Sequence, residues 1–236
     1  MKRSHSLLLA AAVLALPMQI ARGQADTEVS RTVAGGGISV KGWAGKIDAK
    51  ETAAGLKLEN AKLAMSGKDM VVTTGPATTY WNPANKATGN YTVKATFKEP
   101  AYMNVNTHPH PYGIMIAGND LGTDNESYLY CAAYGNGTFI VRGFGPAPFQ
   151  MNGPRGGPDA AVNKAAAKGA PVEQEIAMTV TADNVECAIN GKVVGTYPKS
   201  ALVTAGKLKS TDGVYGFRFA HNTDGIVSGL TMTKNK

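Results

Sequence analysis

The clearest pattern in the chain is a strict alternation of apolar and polar residues at 91–97. Tyr91, Val93, Ala95 and Phe97 are apolar, and threonine or lysine stands between them. Because successive side chains of a strand point to opposite faces, a period of two buries one face and leaves the other in water. These residues are therefore predicted to form a half-buried β-strand.

Similar short segments follow one another along the chain and are separated by turn residues. Residues 112–117 are apolar on both faces, which predicts a central strand that is covered on both sides. Asn190-Gly191 is typical of a two-residue hairpin turn of the primed type. The other predicted strands comprise residues 43–48, 61–65, 70–73, 78–81, 128–134, 139–144, 176–181, 185–189, 192–197, 214–221 and 226–233. About a dozen short strands with almost no helix predict an all-β protein, an antiparallel sandwich or barrel.

Residues 145–171 interrupt this rhythm with a long loop rich in proline and glycine. A loop of this length inside a compact domain is usually functional or mobile. Within it, Asp159 precedes the alanine-rich residues 160–168, and an aspartate at such a position caps helices through its carboxylate. One short helical turn is therefore predicted in this loop.

The first residues have the composition of an export signal. The basic pair Lys2-Arg3 precedes an apolar run at 7–16, and small residues follow after Pro17. This run is too short to cross a bilayer core of roughly 30 Å as a helix. The predicted division of the chain is a cleaved signal peptide at 1–25, a flexible lead-in at 26–42 and a single domain at 43–236. The mature protein is expected in the periplasm or outside the cell, with no stable membrane span.

The charge of the mature chain argues against nucleic-acid binding. Without the predicted signal, 21 basic residues oppose 17 acidic ones, and the lysines are scattered singly along the sequence. Scattered charges are typical of a solvated surface, whereas phosphate-binding proteins cluster their basic residues.

Two cysteines, Cys131 and Cys187, lie inside alternating apolar segments. In an exported protein a disulfide between them would persist. Two small buried hydrophobic side chains would explain the same pattern. The sequence leaves both interpretations open, because it does not supply the Cα separation that a disulfide requires.

The last third of the chain contains the Asn190-Gly191 hairpin, followed by a G-x-x-G-aromatic segment at 213–217. In strand order and turn placement, residues 43–233 resemble concanavalin A-like jelly rolls. More narrowly, they resemble laminin-G-like modules and the 3-keto-disaccharide hydrolase family. The resemblance implies an antiparallel jelly-roll β-sandwich with one concave face, but it does not imply an activity.

The resemblance is incomplete where the hydrolases carry their chemistry. Tyr112-Gly113-Ile114-Met115 stands where the hydrolase family has an Asn-Ser-Gly segment, and the E-x-D-x-E strand of jelly-roll glucanases is missing. That strand places carboxylates on one face, toward one sugar bond. Glu173 and Glu175 are the nearest pair, and acidic residues at a strand end are usually solvated. The sequence also lacks a G-x-S-x-G elbow, a P-loop and a dinucleotide fingerprint.

A row of tyrosines is the most direct indication of glycan recognition. Tyr128, Tyr130 and Tyr134 share one face of a predicted strand. Sugars stack their C–H faces on aromatic rings, and an exposed aromatic row indicates a ligand. The same row can instead form part of the core. The candidates for hydrogen bonds to sugar hydroxyls are Arg142, Arg218 and Asn222.

Three of the four histidines are candidates for catalysis or metal binding. His108 and His110 flank Pro109 in an extended segment, so their rings point to about the same side. His221 comes from a later strand and can complete a cluster. The alternative is a proline-stiffened loop with two solvated histidines.

An oxygen-rich loop follows the strand predicted at 112–117. Asp120, Asp124 and Asn125 are candidate ligands for Ca²⁺, which takes about six to eight oxygen ligands. The same residues are common turn formers whose side chains bond their own backbone. Calcium is the one cofactor that the sequence suggests, and a plain turn explains the loop equally well.

Three functions are compatible with these features. The first is an exported module that binds a glycan on its concave face. The second is a hydrolase or lyase of the 3-keto-disaccharide hydrolase type, with His108, His110 or His221 as acid, base or metal ligand. The third is a structural cell-surface domain without a small-molecule site. Convergence of the histidines and the acidic loop with the tyrosine face in a cleft would favour the enzyme, and a shallow aromatic groove would favour the binding module.

Overall fold

The computed structural model of the chain describes residues 28–236. The predicted signal peptide lies outside the described residues. Within them, no helix has both the length and the apolar character needed to cross a membrane.

Strands make up most of the regular structure. In chain order they are β1 (Gly37–Ile38), β2 (Ala44–Ile47), β3 (Ala61–Ser66), β4 (Asp69–Thr74), β5 (Thr78–Ala87), β6 (Tyr91–Glu99), β7 (Tyr112–Asn119), β8 (Ser127–Tyr134), β9 (Thr138–Phe144), β10 (Phe149–Gln150), β11 (Gly157–Pro158), β12 (Val172–Val180), β13 (Asn184–Ile189), β14 (Lys192–Pro198), β15 (Gly213–Phe219) and β16 (Asp224–Lys234). The helical elements are α1 (Ala49–Ala53), a 3₁₀ turn (Leu58–Asn60) and α2 (Lys199–Leu202).

The strands form two large sheets, named sheet A and sheet B. The order in sheet A is β1-β3-β4-β16-β6-β12-β13-β14, and the order in sheet B is β10-β9-β8-β7-β15-β5-β2, with β11 also paired to β9. Neighbouring strands are antiparallel, except that β1 runs parallel to β3. The prediction of an all-β jelly-roll sandwich is confirmed.

The core lies between the two sheets and follows the predicted alternation. Tyr91, Val93, Ala95 and Phe97 of β6 are all buried. The Phe97 ring lies 6.0 Å from the ring of Phe219 in the opposite sheet. Full burial of such side chains stabilises a fold by about 1.5–3 kcal/mol each.

Two local predictions have different outcomes. Asn190 and Gly191 have φ values of 50° and 78°, as the predicted primed turn requires. Asp159 accepts a hydrogen bond from the Ala161 N–H at 2.8 Å. It caps a single turn, but the chain does not continue there into a helix.

The described part of the lead-in predicted at 26–42 makes hydrogen bonds to the rest of the domain. The Asn222 side chain accepts a hydrogen bond from the Arg31 N–H at 2.8 Å and donates one to the Val29 carbonyl at 3.0 Å. The Arg31 guanidinium pairs with Asp224. One amide side chain therefore binds the backbone of this segment at two positions, and its flexibility stays a prediction. The predicted division of the chain otherwise stays a prediction.

The two cysteines are joined across the sandwich. Cys131 of β8 in sheet B is bonded to Cys187 of β13 in sheet A, with the two Cα atoms 6.0 Å apart. The disulfide therefore links the sheets directly, and both cysteines are also buried hydrophobic residues.

We expect the double substitution Cys131→Ala and Cys187→Ala to lower the free energy of unfolding by about 2–4 kcal/mol, because the bridge constrains the unfolded chain. Urea titration of the oxidised protein and the double variant measures the difference. Equal urea midpoints and equal slopes of the unfolding free energy for the two proteins would contradict the prediction.

A carboxylate is buried at the end of β6. Glu99 is 5 % exposed; its Oε1 accepts a hydrogen bond from the Met103 N–H at 3.1 Å, and its Oε2 has no hydrogen-bond partner. Burial raises the pKa of Glu99 from 4.5 to about 7. Between these two values the unfolded chain has lost a proton that the folded protein keeps, so stability falls as the pH rises.

We expect Glu99→Gln to be more stable than the wild type above pH 7 by about 1–3 kcal/mol, since the amide keeps an acceptor for Met103 and carries no charge. Below about pH 4.5 the two proteins should be equally stable. Urea titrations at both pH values test this, and a stability difference that is independent of pH would contradict it.

Candidate functional site

The outer face of sheet B, on the side away from the core, carries a second cluster of apolar side chains. Since β8 alternates, Leu129 and Cys131 face the core, whereas Tyr128 and Tyr130 belong to the outer cluster. Tyr128 and Tyr130 are thus buried in a second apolar cluster on the outer face of sheet B, outside the main core between the sheets. Both of these tyrosines are at most 4 % exposed.

A cleft of about 970 Å³ lies over this face. The residues predicted from the sequence that line it are His108, His110, His221, Tyr130, Tyr134, Arg142 and Arg218. The structure thus brings the three histidines and two of the three tyrosines together. Further lining residues that the sequence analysis missed are Glu28, Asp48, Lys50 and Arg155.

Arg218 is a buried cation held in place by several partners. Its guanidinium donates hydrogen bonds to Asp48 Oδ2 at 2.6 Å and to Thr79 Oγ1 at 2.9 Å. It also lies over the Tyr130 ring, 5.4 Å from the centroid. The carboxylate of Asp48 holds the pKa of Arg218 above its ordinary value, although burial alone would lower it. Arg218 is therefore a fixed positive charge at the edge of the cleft.

Tyr128 and Asn222 were predicted to bind a ligand and do not line the cleft. The Tyr128 hydroxyl lies 2.9 Å from Thr79 Oγ1, and Phe144 stacks on the Tyr128 ring at 4.9 Å. Asn222 is buried and binds the backbone of residues 29 and 31. Neither residue lines the cleft, and their contacts are with other parts of the protein.

Arg142 lines the cleft, and the protein satisfies only part of its guanidinium. Its Nη2 donates a hydrogen bond to the Pro154 carbonyl at 2.7 Å, while its buried Nε has no hydrogen-bond partner. Tyr134 lies beside it on the cleft wall, and burial raises the pKa of Tyr134 to about 12. Its hydroxyl therefore stays protonated over the physiological range.

The three histidines meet at one end of the cleft together with Glu28. His110 Nε2 lies 2.9 Å from His108 Nε2 and 3.4 Å from Glu28 Oε2. The rings of His110 and His221 stack with centroids 4.2 Å apart. Burial lowers the pKa of His110 to about 4, so His110 is neutral near pH 7.

The acidic loop does not join this cluster. Asp120 pairs with Lys209, and Thr123 Oγ1 donates a hydrogen bond to the Asp120 carbonyl at 2.8 Å. Thr123 Oγ1 also accepts a hydrogen bond from the Asn125 N–H at 3.1 Å. These local bonds fit the turn interpretation. Among residues 28–236, Glu28 and the three histidines have ligand atoms that all lie within 4.8 Å of one another, and Asp120 and Asp124 are not part of this cluster.

Comparison of the sequence with protein-family models and with curated proteins gives no match. Solved structures do resemble the fold. A protein of unknown function with a galectin-like fold from Bacillus subtilis is similar at a TM-score of 0.56 and 13 % identity, over 83 % of this chain and 90 % of that chain.

Two further similar structures have lower scores. A carbohydrate-binding module from Bacillus subtilis has a TM-score of 0.46 and 7 % identity, over 84 % of this chain and 99 % of that chain. An endo-β-1,3-glucanase from Pyrococcus furiosus has a TM-score of 0.49 and 11 % identity, over 82 % of this chain and 89 % of that chain. The similarity to the galectin-like structure, at 13 % identity, shows a shared fold alone, and that fold is the predicted all-β jelly-roll sandwich.

We expect Asp48→Asn to destabilise the protein by about 3 kcal/mol, because it leaves the buried guanidinium of Arg218 without its counter-ion. Glu175→Gln is the control, since Glu175 of β12 pairs with Lys94 of the neighbouring β6 at 3.2 Å and both side chains are exposed to solvent. An exposed pair contributes about 0–1 kcal/mol. Urea titration compares the two variants, and equal losses would contradict the structural role of the Asp48–Arg218 pair.

Proposed function

We propose that this protein binds a glycan in the cleft on sheet B. The observation that carries the proposal is that Tyr130 and Tyr134 line the same cleft as Arg142 and Arg218. A sugar ring offers an apolar face to an aromatic ring and hydroxyl groups to fixed donors. The cleft volume, about 970 Å³, lies at the upper end of the usual range for ligand sites.

The charges around the cleft define the class of glycan further. Arg218 is offset by Asp48 and Lys50 by Glu51, whereas Arg142 and Arg155 outnumber the remaining carboxylate of Glu28. Such a lining favours a sugar that carries many hydroxyls or a carboxylate. The cross-sheet disulfide supports an oxidising compartment, in line with the predicted export to the periplasm or the cell exterior.

A second function, an enzyme that cleaves or modifies a glycoside, is favoured by the histidine cluster. A plain binding groove needs no cluster of titratable groups, but His108, His110 and His221 meet Glu28 in the same cleft. The convergence that would favour an enzyme is present in part: the histidines share the cleft with Tyr130 and Tyr134, whereas Asp120 and Asp124 lie outside it. The 3-keto-disaccharide hydrolase type remains the candidate class, with the histidines as acid, base or metal ligands.

A glycan array that includes neutral and uronate-containing oligosaccharides tests the first proposal. We expect Tyr134→Ala to weaken binding of any glycan that the wild type retains by about tenfold, because a stacked ring contributes about 1–2 kcal/mol. Tyr197→Ala is the control, since Tyr197 is also half-buried but lies on β14 in sheet A. Failure of the wild type to retain any glycan, or equal effects of the two variants, would contradict glycan binding in the cleft.

The proposed enzymatic activity is tested with the glycans that the wild-type protein binds on the array. We expect the wild type to convert at least one of them, detected as a change in product mass, and His221→Ala to retain binding while losing turnover. Binding without turnover in the wild type would leave the binding module as the function.

A further inference from the structure

We propose that Glu28, His108, His110 and His221 form a binding site for a divalent transition-metal ion, with Zn²⁺ as the first candidate. One ring nitrogen from each histidine and one carboxylate oxygen of Glu28 all lie within 4.8 Å of one another. Metal binding does not depend on the proposed glycan binding, whereas any catalytic use of the ion does.

The spacing of the cluster is close to that of a coordination shell. Zinc binds histidine nitrogen and carboxylate oxygen at about 2.0–2.2 Å, so the ligand atoms of a tetrahedral site lie about 3.3 Å apart. His110 Nε2 is 3.4 Å from Glu28 Oε2 and 2.9 Å from His108 Nε2. Small movements of these side chains are therefore enough to enclose an ion.

Hydrogen bonds on the far side of the rings select the tautomers that a metal requires. His110 Nδ1 lies 2.6 Å from the His221 carbonyl oxygen, which can only accept. The proton of His110 is therefore on Nδ1, and the lone pair is on Nε2, the nitrogen next to Glu28 and His108.

His221 is oriented in the same way through a serine. Ser30 Oγ donates its single proton to Glu51 Oε2 at 2.8 Å, and it lies 3.2 Å from His221 Nδ1. Ser30 must then accept a hydrogen bond from His221 Nδ1–H, so the lone pair of His221 is on Nε2. A carboxylate that orients a histidine from behind is the usual outer shell of a metal site, and here a serine stands between the two.

The donor set selects the kind of ion. Calcium and magnesium prefer shells made of oxygen atoms, whereas three imidazoles and one carboxylate suit zinc and its first-row neighbours. The site also opens on the cleft, because the His108 side chain is 44 % exposed whereas that of His110 is 4 % exposed. A water molecule or a sugar oxygen could reach the ion from the side of Tyr130 and Tyr134.

Titration of the chelator-stripped mature protein with Zn²⁺ alone, by calorimetry, tests the site without any glycan. We expect about one ion per chain and a rise in the thermal midpoint on binding. Glu28→Gln and His108→Ala each remove one ligand and should weaken Zn²⁺ binding by about 100-fold or more. This loss is larger than the one expected when only a residue behind a ligand is changed. Ser30→Ala keeps all four ligands and should weaken binding by about 10–100-fold.

Asp124→Asn is the matched control, because Asp124 lies in the acidic loop outside the cluster. It should bind Zn²⁺ as the wild type does. Thermal melting of the metal-free variants shows whether each one folds, and Co²⁺ substitution reports tetrahedral coordination through its visible absorption. Absence of Zn²⁺ binding in the wild type, or equal affinity in the wild type, Glu28→Gln and His108→Ala, would overturn the proposal. A negative glycan array alongside intact zinc binding would overturn the glycan proposal alone.

Discussion

The alternation of side chains along β8 is the constraint on which the rest of the structure depends. One face of this strand sends Leu129 and Cys131 into the core, and the other sends Tyr128 and Tyr130 toward the cleft. A shift of the strand by one residue would exchange these faces and place tyrosine hydroxyls in the core. The Cys131–Cys187 bridge ties β8 to the opposite sheet, so a slip of the strand would also strain the bridge.

On the outer face of sheet B, Tyr128 of β8 belongs to a network of side chains around Arg218. Tyr128 and Thr79 hold one side of the Arg218 guanidinium, and Asp48 neutralises it. A cation this deeply buried is stable only with such partners. The same network that stabilises the sheet also fixes the position of a charged group at the cleft, so the site exists before any ligand arrives. Preorganisation of this kind reduces the entropy that a ligand would otherwise lose to order the site.

The strands could be predicted from the sequence because their signals are local. Alternation at 91–97 and the Asn190-Gly191 turn each depend on residues that are close in the chain, and the structure confirms both. The tyrosine candidates were found from their shared strand face, and His108 and His110 from their spacing around Pro109. The sequence could not show that Tyr128 contacts Arg218, because β8 and β15 are distant in the chain and are separated by β7 in sheet B.

The residues that were missed or misplaced depend on contacts between distant parts of the chain. Glu28 lies in a segment whose glycine-rich composition suggested flexibility, yet it meets His110 at 3.4 Å. Asn222 looked like a ligand donor and instead holds residues 29 and 31. Asn222 lies between β15 and β16 and binds the backbone of this early segment, and periodicity carries no signal for such a side-chain bond.

The central proposal is that Glu28 and the three histidines form a metal-binding site in the cleft that Tyr130 and Tyr134 also line. Anomalous diffraction at the zinc edge, from crystals of the mature protein grown with Zn²⁺, tests it most directly. The account predicts one strong peak bounded by Glu28, His108, His110 and His221, on the side of the cleft that faces Tyr130 and Tyr134. A cluster without a peak, or a peak only at other sites, would contradict it.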